Sequence, residues 1–146
     1  MKRRFQGLHQ ADPSALSDIP DGLFLVRVLH AQYRWHQQKP FYVVRFLVVE
    51  PSPFTGKAFT GRLYCTAKAL WKLTWFLRDF GYDADLLGHD EVDEKHLVGL
   101  RGVVKLNHPV LHGTTLLNLD GFAPANQWEE LSVASPASAN RPEVAR

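Results

Sequence analysis

Five β-prone runs, with one helix inserted after the third, constrain this chain more than any single residue does. The runs are Leu23–Tyr33, Phe41–Glu50, Ala58–Cys65, Gly102–His108 and Thr114–Phe122, and the helical stretch lies near Lys68–Phe80. A β-β-β-α-β-β order is what a five-stranded Greek-key barrel with one α-helix between strands 3 and 4 produces. The expected fold class is therefore mainly β. Small, partly open barrels of this kind commonly bind oligonucleotides or oligosaccharides on one face.

Alternation within the runs assigns an inner face. In the first, Phe24, Val26 and Val28 point to the core, because the other set (Leu23, Leu25, Arg27, Leu29) contains a charge. Both sets are largely apolar, so this strand is expected to be covered on its outer side as well, by a helix or an arm. In the second run Tyr42, Val44, Phe46 and Val48 read as inward, with Phe41, Val43, Arg45 and Leu47 outward, and the opposite register is nearly as well supported. Tyr33–Pro40 interrupts the pattern and reads as the loop between them. Pro51–Lys57 is a turn, and Gly61 marks a bulge or bend inside the third run.

From Lys68 the period changes. Leu70, Leu73, Leu77 and Phe80 recur at helical spacing, Thr66 is placed to cap the start and Gly81 to end the helix. Trp71 and Trp75 are expected to pack this helix against the sheet. The domain is expected to run over residues 21–131. A loose basic arm (1–20) precedes it and a Ser/Ala/Pro/Asn-rich, disordered tail (132–146) follows.

Size and composition suit one soluble domain: 146 residues with 45% hydrophobic content can bury a core unaided. The lone cysteine, Cys65, cannot form an internal bridge. The basic start, Met1–Arg4, is followed by no apolar signal core, and no run approaches the ~18 apolar residues that span a bilayer. No membrane partner and a cytoplasmic location are expected. The net charge of +2 conceals an asymmetry: residues 1–80 hold 12 Lys/Arg against 5 Asp/Glu, and residues 81–146 hold 5 against 10. A basic half of this kind suits a polyanionic partner.

Catalysis finds little support. The seven histidines (His9, His30, His36, His89, His96, His108, His112) show no zinc-ligand spacing, and Cys65 has no cysteine partner. No Gly-x-Ser-x-Gly turn, P-loop or dinucleotide fingerprint is present. The expectation is a protein that is not an enzyme, with no catalytic residues, no metal and no cofactor.

What remains is basic residues interleaved with aromatics on the first three strands and their connections. Arg27, Arg34, Lys39, Arg45, Lys57 and Arg62 suit phosphate contacts, and Tyr33, Trp35, Phe41 and Tyr64 suit stacking on bases. The loop after the fourth strand, with His108 and His112, would close over the ligand. The expected partner is single-stranded DNA or RNA. The alternative is a protein–protein adaptor barrel using the same face, since aromatics and arginine are enriched in both kinds of surface. Self-association into a homo-oligomer, and a protein partner at the acidic segment 83–94, are further expectations.

From Pro20-Asp21-Gly22 to Phe122-Ala123-Pro124-Ala125 the layout resembles small OB-fold single-stranded DNA-binding proteins of bacteriophages and mobile elements. The resemblance rests on Asp21-Gly22 before the first strand and on Phe46-Leu47-Val48-Val49 leading to Pro53-Phe54-Thr55-Gly56-Lys57. It rests further on the Leu70–Gly81 helix, on Leu97–Val104, and on the closing Gly-Phe-Ala-Pro-Ala. These motifs encode turns and core positions. They imply an OB-fold and a nucleic-acid partner in DNA replication, recombination or repair. The end, Pro142–Arg146, departs from the acidic tip common in such proteins.

Overall fold

Valine, phenylalanine and tyrosine crowd residues 23–64, and such side chains suit a pleated, half-buried surface. In the computed structural model, which describes residues 2–4 and 19–134, they build β1 (Gly22–His36), β2 (Lys39–Glu50) and β3 (Ala58–Tyr64). Then follow α1 (Leu70–Asp79), α2 (Ala84–Gly88), a 3-10 turn over Glu94–His96 and β4 (Arg101–Asn107). The short strands β5 (Val110–Leu111) and β6 (Thr114–Thr115), then β7 (Asn118–Pro124) and α3 (Trp128–Ala134), complete the described elements. Five strands form one antiparallel sheet in the order β3-β2-β1-β4-β7, and β5 with β6 makes a separate hairpin.

The sheet is open, not a closed barrel. Among the described residues its end strands, β3 and β7, share no hydrogen-bonded ladder. They nevertheless come close: a Cβ on Gly61 in β3 would lie 2.7 Å from the side chain of Leu119 in β7. That leucine fills the seam where backbone pairing would otherwise run. Among the described residues three helices stand where one was expected, with α2 after α1 and α3 after β7.

The inner face carries the alternation read from sequence. Phe24, Val26, Val28, Tyr42, Val44, Phe46 and Val48 are all buried. Helix α1 lies against this face with Leu73, Phe76 and Leu77 buried. Phe46 stacks on Phe59 at 5.1 Å and meets Phe76 and Phe80 edge-on at 6.0 Å each. Phe80 requires its glycine neighbour, because a Cβ on Gly102 would sit 2.4 Å from the ring. The helix ends in a Schellman motif: Gly81 N–H donates to Arg78 O and Tyr82 N–H to Leu77 O, with Gly81 at φ 79°.

Four expectations change. Tyr33–Pro40 is no loop: β1 and β2 stay paired to His36 and Lys39, and Gln37 and Gln38 alone turn the chain, at φ 51° and 63°. Two left-handed residues match the right-handed twist of a hairpin, a conformation usually marked by Asn or Gly. The fifth run splits into β6 and β7, with Leu116 N–H bonded to Pro109 O at the break. Thr66 does not cap α1; Ala69 occupies that position without a side-chain cap. The domain also extends beyond 21–131: Ile19 is buried in the core, and α3 continues to Ala134. The remainder of the expected arm, 5–18, and of the expected tail, 135–146, lies outside the described residues. No helix among the described residues is long and apolar enough to cross a membrane.

Candidate functional site

One unpaired residue decides which side chains share a face. The β1–β2 register slips between Val28 and His30, leaving Leu29 as a bulge. Because side chains alternate with period two, an extra residue inverts the parity beyond it. Outward residues in β1 are therefore Leu25 and Arg27 before the bulge, and His30, Gln32 and Arg34 after it.

The register then lays out the exterior row by row. Arg34 lies beside Phe41 and Tyr64, Gln32 beside Val43 and Arg62, and His30 beside Arg45 and Thr60. At the far end Arg27 pairs with Leu47 on one side and Arg101 of β4 on the other. Phe41 is 3% exposed although it points outward. The Arg62 guanidinium lies 4.7 Å from its ring centroid, and Tyr64 tilts against it at 5.3 Å. Arg62 Nη1 donates to the Tyr64 hydroxyl at 3.4 Å, and Arg45 Nη1 to Thr60 Oγ1 at 3.4 Å. Arg34 donates through Nε and Nη2 to Gln32 Oε1 at 3.1 and 2.8 Å.

These contacts hold the guanidinium groups without neutralising them. Glu50 is the sole carboxylate in the sequence from Gly22 to Cys65. Among the described residues Arg27, Arg34, Arg45, Arg62 and Arg101 form no ion pair. Arg27 opposite Arg101 is a like-charge cross-strand pair, an arrangement that costs stability when left uncompensated.

Tyr33 and Trp35 stand on the other side of the hairpin. Trp35, 63% exposed, meets Tyr33 edge-on at 6.4 Å, and Tyr33 packs on Tyr42 at 5.2 Å. This side faces the acidic segment. A 650 Å³ open pocket there is lined by Tyr33, Tyr42, Leu86, Glu91, Val92, Asp93 and Glu94. The Tyr33 N–H donates to the Glu94 carboxylate. Burial, reinforced by Cys65, Glu94 and neighbouring tyrosines, pushes the Tyr42 phenol up to about 12. Several acids of segment 83–94 are occupied locally: Asp83 accepts from the N–H groups of Asp85 and Leu86, and Asp93 from that of Lys95. Tyr82 ties the segment down, donating to Glu91 O and accepting from Asp93 N–H.

The ten residues singled out in the sequence thus divide. Arg27, Arg34, Phe41, Arg45, Arg62 and Tyr64 share the outward face, and Lys39 lies at its hairpin end. Lys57 sits in the β2–β3 turn beside Ala58, at the Arg27 end. Tyr33 and Trp35 are not brought to that face. His108 lies in the connection after β4 as expected, but it is held beside the start of β1 and not over the face: its Nδ1 lies 2.6 Å from Asp21 Oδ1, and its side chain is 9% exposed. His112 occupies the exposed β5–β6 turn at φ 54°. Cys65 is half-buried, and burial pushes its thiol pKa up. Of the two tryptophans on α1, Trp75 packs edge-on to Phe122 at 5.6 Å, whereas Trp71 is 62% exposed and stacks on Trp75.

Two cations escaped the sequence reading. Arg101 announces itself only through its pairing with Arg27, and Lys68 through the folding of the β3–α1 connection beside Tyr64. A scan against protein-family models matches none, and a search of curated proteins finds no similar sequence.

Proposed function

We propose that this chain is an OB-like, partly open barrel that binds single-stranded nucleic acid on the outward face of β1, β2 and β3. Binding is non-catalytic and tolerant of sequence, and DNA is the favoured partner because of the resemblance stated above. One observation carries the reading. Five arginines point to one side of the sheet, Arg34 and Arg62 beside the rings of Phe41 and Tyr64, Arg45 midway, and Arg27 with Arg101 at the far end, with no carboxylate partner among the described residues.

Two physical arguments connect that face to this ligand. Uncompensated cations on a rigid sheet gain affinity by releasing the counterions of a polyphosphate. The partly exposed ring of Tyr64 offers a stacking surface that every base can use, since each has a π-face, whereas Phe41 is buried. From Arg27 to Arg34 the face spans roughly 20 Å at ~3.3 Å per strand residue, room for several nucleotides. The order β3-β2-β1-β4-β7, with β3 and β7 approaching at Gly61 and Leu119, supports the barrel reading.

Fluorescence anisotropy with a labelled oligothymidylate tests the reading. Binding is expected at low salt, with log K falling linearly in log salt by about 0.7 per phosphate contacted. Absence of binding at low salt would sink it.

A further inference from the structure

Beyond β3 the outward face continues into a pocket that no sequence motif announces. Its volume is 530 Å³, and its lining is Lys39, Tyr64, Thr66, Ala67, Lys68 and Ala69. That size lies within the ~300–1,000 Å³ usual for small-ligand sites. Tyr64 belongs to both places: its ring tilts over Phe41 on the face and also walls the pocket.

The charge of the pocket is one-sided. Lys39 and Lys68 contribute two ammonium groups, and no carboxylate lines the cavity. Neither lysine forms an ion pair among the described residues. Helix α1 starts directly after Ala69, with no side-chain cap and no acid in its first turn. Its partial positive charge adds to that of the lysines.

We propose that this pocket is a nucleotide subsite of the strand bound on the face, and so its far boundary. The base lies against Tyr64 and the phosphate between Lys39 and Lys68. Aromatic wall and paired cations match the two halves of a nucleotide together; an acidic side chain would answer only the cations. The inference rests on the reading of the face given above, and its test separates the two.

Oligothymidylates from about 4 to about 20 nucleotides, which bracket the ~4–16 nucleotide sites of single OB folds, are titrated against wild type, Lys68→Ala, Lys68→Arg and Arg45→Ala at several salt concentrations. For Lys68→Ala, the length at which affinity levels off is expected to shorten by about one nucleotide, and the salt slope to fall by about 0.7, one single-strand phosphate contact. The shortest oligomers should bind this variant and wild type alike, and Lys68→Arg should restore the wild-type length. If wild type and Arg45→Ala behave as the face requires but Lys68→Ala keeps both length and slope, the subsite is wrong and the face stands. If wild type binds no oligomer, both fall.

Discussion

The outside of this sheet has two halves, and β1 runs through both. At its start Leu23 and Leu25 face outward under Trp128 and Leu131, in a cluster with Val49, Val103, Ala123 and Ala125. Past Arg27 the same strand presents the exposed His30, Gln32 and Arg34 beside the exposed Arg45 and Arg62 and the rings of Phe41 and Tyr64. One half is apolar because α3 covers it. The other combines exposed cations with a buried ring, Phe41, against which Arg62 and Tyr64 lie. The contrast teaches that outward parity alone says nothing about role. A covered outward residue contributes to stability; an uncovered, unpaired one asks for a ligand.

The strongest test of that division is Trp128→Ala. Truncating a tryptophan that is 7% exposed is expected to cost ~3–5 kcal/mol of stability, measured by denaturant unfolding, while the folded fraction keeps its affinity for oligonucleotide. Lost affinity in molecules that remain folded would show that the halves are not independent. Next in size is Tyr64→Ala on the bare half, expected to weaken binding by ~1–3 kcal/mol, one stacking interaction, while its lost contact with Phe41 lowers stability by ~0.5–1.5 kcal/mol. Trp35→Ala, on the acidic side of the hairpin, should weaken binding less than Tyr64→Ala does; the reverse order would relocate the site.

Titration sharpens the comparison from the inner side. The Tyr42 phenol is pushed up to about 12 from an ordinary 10.0. A group whose proton is held more tightly in the folded state contributes stability that is fully present below pH 10 and lost as pH rises toward 12. Unfolding measured across that window should lose part of its pH dependence in Tyr42→Phe, while oligonucleotide affinity near neutral pH stays put. The smallest effect is expected at the rim of the covered half, where Lys105 Nζ lies 3.6 Å from Asp120 and both side chains are largely exposed. Asp120→Asn should shift stability by less than about 1 kcal/mol.

Much of the scaffold was legible because burial imposes periodicity. The inward sets of β1 and β2, the buried Leu73, Leu77 and Phe80 of the α1 stripe and the glycine that ends that helix follow from spacing, whereas Leu70 of that stripe is exposed and the buried Phe76 falls outside it. Even the outer cover of β1 was foreshadowed, since Leu23 and Leu25 make no sense exposed. What escaped was set by single residues with no compositional signal. Leu29 is an ordinary apolar residue whose bulge exists only in the pairing, and Gln37-Gln38 form a tight turn without the Asn or Gly that usually marks one. For that reason Tyr33 and Trp35 read as companions of Phe41 and Tyr64, although they lie on the opposite side. Arg101 and Lys68 were invisible for a different reason: their relevance comes from neighbours distant in sequence.

The bulge at Leu29 works as a phase shifter for the arm that follows it. Were Leu29 drawn into the ladder instead of standing outside it, each later residue of β1 would move one position along β2 and turn to the other side of the sheet. Arg34 and Gln32 would then look toward Glu94, and Tyr33 and Trp35 would join the arginines of β2 and β3. The electrostatic sign of β1's share of each arm surface is thus set by leaving out of the ladder a single leucine, whose own chemistry contributes to neither.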